Sequence, residues 1–322
     1  MAAGQAAAQT EAVFSSSEDR IRARKAQSVV ASPFLAFARG AGSQIAGSLF
    51  AVLLPCDCRI CGEPLVRISR LPICQECLDD MLPIDEGVCR LCGERLFSPY
   101  ALAGERRCGM CRRTEPVFAR AVAYGSYEGG LRELIHLLKY GGVRPAANVL
   151  GRMLAEAVAT LEPDLPRGPL AIISVPLHSA KLRQRGFNQA ELIARAAIKV
   201  SVMRDRLRLC AGVLERRRET ASQIGLTSHQ RRANLRGAFA VVEPDIIKGC
   251  EVLLVDDVYT TGATVSECAR ILRRAGAGRV WVATVARTLK VAAQQVEIGS
   301  DQGNELAQEI ASEAPLAKAV GM

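Results

Sequence analysis

Two groups of residues in this 322-residue chain have types and spacings that could do chemistry. One is a pair of adjacent carboxylates, Asp256 and Asp257, followed after Val258 and Tyr259 by Thr260, Thr261, Gly262, Ala263 and Thr264. The other is four Cys-x-x-Cys pairs, Cys58/Cys61, Cys74/Cys77, Cys89/Cys92 and Cys108/Cys111, separated by 12, 11 and 15 residues. The first group suits a phosphorylated sugar. Backbone N–H groups from Thr260 to Thr264 at the start of a helix, threonine hydroxyls and a glycine that permits close approach all suit a phosphate dianion. Two carboxylates would repel that anion unless they face a sugar diol or a Mg²⁺ that screens them. Alone, Asp-Asp could simply end a strand and help a helix to start. The whole string is more specific than that use of aspartate.

The elements that must position this string are legible on both sides. Val252 to Val255 reads as a buried strand. After the turn, Val265, Cys268, Ala269 and Leu272 fall at helical spacing, Thr264 and Glu267 have the form of a capping box, and Gly276 and Gly278 end the helix. Arg279 to Arg287, with Val280, Val282 and Val285, reads as the next strand. The unit is therefore βαβ, with its loop at the carboxyl end of a strand, where open parallel sheets bind ligands. The string resembles the phosphoribosyl pyrophosphate signature of type I phosphoribosyltransferases. A P-loop is absent, and Gly40-Ala41-Gly42 follows no strand, so neither nucleotide fingerprint competes.

Each cysteine pair can form a knuckle, with Gly62 and Gly93 easing two of the turns, and two knuckles complete a tetrahedral four-thiolate site. Four ligands leave no open position, so two structural zinc ions are expected, standing in for a core that about 55 residues cannot build. Tandem pairing and interleaved pairing fit the same spacing, and Cys56 could replace Cys58. Disulfides or free buried thiols are the alternative, and the regular pairing argues for metal.

Composition bounds the rest. With 49% hydrophobic residues and only 4% aromatics, aliphatic side chains must fill the core. No apolar run approaches the ~20 residues of a membrane span, and the best, Ile45 to Leu54, is broken by Gly47 and Ser48. A soluble, cytoplasmic protein that does not engage membranes is expected. The net charge of +9 resides between Lys181 and Ala240, where 14 Lys or Arg face 4 Asp or Glu, a local excess of 10. That segment suits a polyanionic ligand or nucleic acid. From Cys56 to Cys111 the balance is 7 basic to 9 acidic, opposite to what tracking phosphates requires, so the cysteine region is expected to dock a protein partner or pack on the next domain.

Along the chain, residues 1–50 read as an arm, disordered except for an amphipathic stretch from Pro33 to Leu54, and 51–115 as the cysteine module. Residues 116–290 read as the main α/β domain and 291–322 as a disordered tail. Within the main domain, Val117 to Tyr127 reads as one or two strands, Leu131 to Tyr140 and Ala146 to Leu161 as helices, and Leu170 to Pro176 as a strand. His136 sits among leucines and is given no role. His178, Lys181, Arg183 and Arg185 precede Gly186-Phe187-Asn188-Gln189 and a helix from Ala190 to Val200. Basic residues at that position can hold a second phosphate group, or form a solvated turn. Leu214 to Gln223 reads as a mobile arm or a surface hairpin.

Together, Leu138-Lys139-Tyr140, Val175-Pro176-Leu177, Arg183-Gln184-Arg185-Gly186-Phe187-Asn188-Gln189-Ala190, Arg218 with Thr220 and Gln223, Arg232 with Asn234 and Gly237, and the Asp-Asp string resemble the ComF family over roughly residues 50–288. The chain departs from that pattern in its long arm, Cys56, Ser174 and the tail after Val291. The resemblance implies an N-terminal double zinc ribbon, a C-terminal phosphoribosyltransferase-like parallel sheet flanked by helices, and a link to DNA uptake in competence.

Two readings of function follow. In one, an enzyme moves a 5-phosphoribosyl group to an acceptor that the sequence does not reveal. Asp256 and Asp257 hold the ribose and Mg²⁺, Thr260, Thr261, Gly262, Ala263 and Thr264 the 5′-phosphate, and Arg183 and Arg185 the diphosphate of phosphoribosyl pyrophosphate. Glutamine-dependent transfer would need a nucleophilic cysteine, and Cys210, Cys250 and Cys268 sit in no such context. In the other, the pocket binds a nucleotide or single-stranded DNA without turnover, while the ribbons dock a helicase or other DNA-processing protein.

Overall fold

The structure, a computed structural model, describes residues 56–65, 69–84, 87–96, 106–218 and 228–289. The expected arm, the stretch from Pro33 to Leu54, residues 219–227 and the tail lie outside the described residues. Five parallel strands form the central sheet, in the order β1 (Ala121–Ser126), β7 (Val280–Arg287), β6 (Glu251–Tyr259), β2 (Leu170–Ser174) and β3 (Leu207–Leu209). A small antiparallel pair, β4 (Leu214–Arg216) and β5 (Phe239–Val241), stands apart from it.

The helices are α1 (Gln75–Asp79), α2 (Gly109–Arg113), α3 (Gly129–Lys139), α4 (Ala146–Ala159), α5 (Ser179–Arg185), α6 (Gln189–Val200), α7 (Ser228–Leu235), α8 (Pro244–Ile247) and α9 (Ala263–Arg274). Among the described residues, no helix is long and apolar enough to cross a membrane.

Side chains alternate between the two faces of the sheet, as the two-residue period of a strand requires. Val122, Ile172, Leu253, Val255 and Trp281 point to a core completed by α3, α4 and α6. Ala121, Ile173, Val252, Leu254 and Val282 point to the opposite core, built with α9 and the β4–β5 pair. Both faces being covered, the strands read as continuous apolar runs. On the first face α4 and α6 cross closely at Gly151, where a Cβ would stand 2.5 Å from that of Ala196.

The cysteine region covers the β1 edge. Ala121 N–H donates to the Leu91 carbonyl at 2.8 Å, Ile84 N–H donates to the Tyr124 carbonyl at 2.6 Å, and the Tyr124 hydroxyl donates to the Met81 carbonyl at 2.8 Å. An exposed strand edge invites pairing with other chains, and here the ribbon backbone occupies it. Cys58, Ile73 and Met81 join one core and Cys89, Cys92, Cys108 and Cys111 the other, so the module straddles the edge.

Two boundaries differ from expectation. β6 extends through Tyr259, placing Asp256 and Asp257 inside the strand. The helix α9 begins at Ala263 with Gly262 as its N-cap, so Thr264 and Glu267 form no capping box. Glu267 instead accepts from the Gly237 N–H at 3.2 Å and pairs with Arg270.

Candidate functional site

The carboxyl ends of β1, β2, β6 and β7 surround the site. β6 places Asp257 in the interior, where its carboxylate pairs with the Lys139 ammonium, the two side chains being 6% and 16% exposed. Gln189 Nε2 donates to the other Asp257 oxygen at 3.4 Å. Asp256 Oδ1 accepts from the Asp257 N–H at 2.9 Å. Burial and the adjacent carboxylate push the Asp256 pKa well above the usual range. Burial works the same way on Asp257, but Lys139 outweighs it and holds that carboxyl low. Lys139 is raised: burial pulls it down, and Asp257 overcomes this. The two adjacent carboxyls therefore differ: Asp257 is the charged partner of Lys139, and Asp256 is the one whose charge is disfavoured.

The turn after Tyr259 is tight. Thr260 and Thr261 are exposed, and Gly262 takes φ +75°, a left-handed conformation that side chains resist. A Cβ there would also come within 2.5 Å of the Tyr259 ring carbon Cζ. Both reasons demand glycine.

The string from Arg185 to Gln189 is explained residue by residue. Gly186, at φ +78°, ends α5. Phe187 carries the Arg144 guanidinium 5.3 Å from its ring centre. Asn188 caps α6 by accepting from the Ala190 N–H at 3.0 Å, and its amide donates to the Val175 carbonyl at 3.0 Å, tying the turn to the end of β2. Gln189, buried, accepts from Arg185 while donating to Asp257, so the basic turn and the acidic strand share one hydrogen-bonded line. Arg185 also lies 5.5 Å from the Tyr140 ring centre. Arg183, by contrast, is exposed on α5 and outside this line.

Lys139, Gln189 and Tyr140 are site residues that chemistry-based reading missed. A lysine in a helix's last turn is ordinarily a solvated complement to the dipole. Its signals were spacing, four residues after the fully buried Ile135, and its place in the Leu138-Lys139-Tyr140 string of the family resemblance, neither of which says what it pairs with. His136 hydrogen-bonds the Tyr127 hydroxyl at 2.9 Å and meets the Tyr140 ring edge at 5.4 Å, supporting the wall of the site.

Sulfur atoms of Cys58, Cys61, Cys74 and Cys77 lie within 4.8 Å of one another, as do those of Cys89, Cys92, Cys108 and Cys111. The pairing is tandem, which removes the interleaved alternative, and Cys56 is exposed outside both groups. Gly62 and Gly93 take φ +80° and +72° in the knuckles. Ile60 and Cys74 N–H groups donate to Cys58 Sγ at 3.5 and 3.3 Å. Burial opposes ionisation of Cys58, but such donors bring its pKa down to about 6. A hydrogen bond from Cys92 takes Cys89 to about 4. N–H donors aimed at thiolates, within tetrahedral reach of three more sulfurs, fit a metal ion.

Residues 49–112 match the family model of the double zinc ribbon domain. The DNA utilization protein YhgH of Escherichia coli O6:H1 is 33% identical over 237 residues, covering 73% of this chain and 99% of its own. Competence protein F of Haemophilus influenzae is 32% identical over 227 residues, 66% of this chain and 96% of its own. The chain belongs to the ComF family. In this ComF-family chain the two thiol clusters are the zinc-binding sites of a double zinc ribbon, followed by the parallel sheet flanked by helices. Among solved structures, a hypoxanthine phosphoribosyltransferase of Staphylococcus aureus overlaps 46% of this chain and 69% of its own at 13% identity, with a TM-score of 0.27, too slight an overlap to argue from.

Proposed function

We propose that this ComF-family protein binds phosphoribosyl pyrophosphate with Mg²⁺ at the carboxyl end of β6 and transfers its phosphoribosyl group. The observation that carries this is the convergence of three chemistries at one turn. The N-terminus of α9 suits an anion, the Lys139-paired Asp257 beside Asp256 suits hydroxyls, and Arg185 joins them through its hydrogen bond to Gln189. The turn Thr260 to Thr264 holds the 5′-phosphate. Asp257, already neutralised by Lys139, accepts from the ribose diol instead of repelling the phosphate. Asp256, the half-buried member of the pair that Lys139 does not hold, would meet a Mg²⁺ bound with the diphosphate, giving up its proton as the cation replaces it. Arg185 and Arg183 stabilise the leaving diphosphate as charge separates along the breaking C1′–O bond.

The reading is tested by calorimetric titration of zinc-loaded protein with phosphoribosyl pyrophosphate and Mg²⁺, with pyrophosphate release followed in the same samples. Micromolar binding that an Asp256→Asn/Asp257→Asn variant loses supports it, and released pyrophosphate would extend it to turnover. Absence of binding in folded protein sinks it.

A second reading has its own observation. Tyr140 is 73% exposed beneath Arg185, and Phe187 lies beneath Arg144, an alternation of rings and guanidinium groups that suits stacked bases. In it the site takes a nucleotide or the end of single-stranded DNA, and the ribbons dock a helicase or other DNA-processing protein, in keeping with the E. coli relative being called a DNA utilization protein. Binding that falls steeply with salt would favour it. In either reading the protein acts in the cytoplasm, where reduced thiols keep both zinc sites intact.

A further inference from the structure

Arg287 plays no part in the chemistry above, yet it is 3% exposed at the end of a strand of buried residues. Burying a guanidinium requires partners that fix it. It donates to the Cys92 carbonyl, donates to Glu94 Oε2 at 3.0 Å, and stands 3.9 Å from Cys92 Sγ. Gly93, between those two residues, takes φ +72°, a left-handed turn that side chains resist, and its Cα side packs toward Arg287 Cδ and the Ala121 carbonyl oxygen. Four thiolates around one Zn²⁺ leave a net negative charge, and this guanidinium faces it.

The other side of Arg287 meets the ligand turn. Its guanidinium covers the Tyr259 ring 4.3 Å from the centroid, and Phe118 meets that ring edge-on at 6.4 Å. Tyr259 and Arg287 are partners in the β6–β7 register, and the Thr288 N–H donates to the Tyr259 carbonyl at 2.9 Å. The Tyr259 hydroxyl occupies the space a Cβ would need at Gly262. A continuous line of contact therefore runs from the second zinc site through Cys92, Arg287 and Tyr259 to Gly262.

We infer that Arg287 is a positioning residue through which the Cys89/Cys92/Cys108/Cys111 zinc site sets the shape of the Thr260–Gly262 turn. The first zinc site stands elsewhere: its neighbours Ile60 and Met81 pack against Gly130 at the start of α3. The inference deepens the proposed function and rests on it only for what the turn holds, because the brace is a property of the ligand-free protein.

Hydrogen–deuterium exchange of the full, zinc-loaded chain without ligand tests it, with zinc content measured on the same samples. Arg287→Met is expected to keep two ions per chain and to raise exchange across residues 258–266 about tenfold, because local opening of the unbraced turn becomes easier. A Cys61→Ser/Cys74→Ser variant of the first site is expected to leave that segment at its wild-type rate. Glu94→Gln removes only the carboxylate partner and is expected to give a smaller rise, which keeps the test valid should Arg287→Met fail to fold. Unchanged exchange at 258–266 in folded, two-zinc Arg287→Met, or in Glu94→Gln in its place, overturns the inference, as does an equal rise in the first-site variant. Wild-type protein that binds no phosphoribosyl pyrophosphate would overturn the proposed function and leave this result standing.

Discussion

Asp256→Asn and Asp257→Asn make the same chemical change on adjacent residues, and the structure sets their outcomes apart. Asp257 is the buried partner of Lys139, so asparagine leaves an ammonium, 16% exposed, without its carboxylate. Breaking a buried pair costs about 3–5 kcal/mol. Asp256 also acts on Lys139, and it would ionise to replace part of the lost attraction, which brings the expected loss to about 2–3 kcal/mol. Burial and its neighbour disfavour the charge on Asp256, and asparagine is close to an isostere of its neutral form. The variant's Oδ1 can still accept from the Asp257 N–H, so the change should stay below about 1 kcal/mol and could be stabilising.

The pH dependence has a definite sign. A carboxyl raised in the folded state binds extra protons there, so wild-type stability falls as pH climbs from the unfolded value toward the raised one, and Asp256→Asn lacks that fall. The Asp257 contribution is full above the unfolded carboxyl value near pH ~4 and is lost only as pH drops through its lowered one. Urea titrations of both variants beside the wild type, zinc-loaded and followed by emission of the single, buried Trp281, would measure the two losses, and repeating them at rising pH above ~4 would show the Asp256 fall against a constant Asp257 contribution. Equal losses, or a larger loss for Asp256→Asn, would refute this division of roles between the two carboxyls.

Three further outcomes are expected. Gly262→Ala should destabilise the protein by about 2–3 kcal/mol, from its left-handed φ together with the overlap with Tyr259, and Tyr259→Phe in the same background should restore part of the loss in the same urea titration. Zinc release to a chelator, followed with a colorimetric dye, should be biphasic, because Cys61 is exposed in the first site while all four cysteines of the second are buried. Arg185→Met should weaken phosphoribosyl pyrophosphate binding about tenfold or more while leaving ribose 5-phosphate affinity nearly unchanged, since the proposal assigns Arg185 to the diphosphate; equal losses by calorimetry would contradict that assignment.

The parts that were legible in the sequence are those governed by local rules. Alternation and helical spacing located β6, α9 and β7, and the Cys-x-x-Cys spacing located both zinc sites, because knuckles and βαβ units are built from neighbours in the chain. The extension of β6 through Asp257 was not legible. Polar residues end a strand by default, and only Lys139, 118 positions away in the chain, makes a buried carboxylate tolerable there. Arg287 was hidden for the same reason: its partners Cys92 and Glu94 come from the other end of the described chain. Tandem and interleaved cysteine pairing obey identical spacing rules, and only packing on the β1 edge separates them.

A crystal structure of the zinc-loaded protein with phosphoribosyl pyrophosphate and Mg²⁺ tests the central claim most directly. The account expects the 5′-phosphate on the backbone N–H groups of the turn preceding α9, the ribose hydroxyls on Asp257 and the diphosphate toward Arg185. Ligand density away from that turn, for example among Arg236, Arg270 and Arg274 on the outer side of α9, would contradict it.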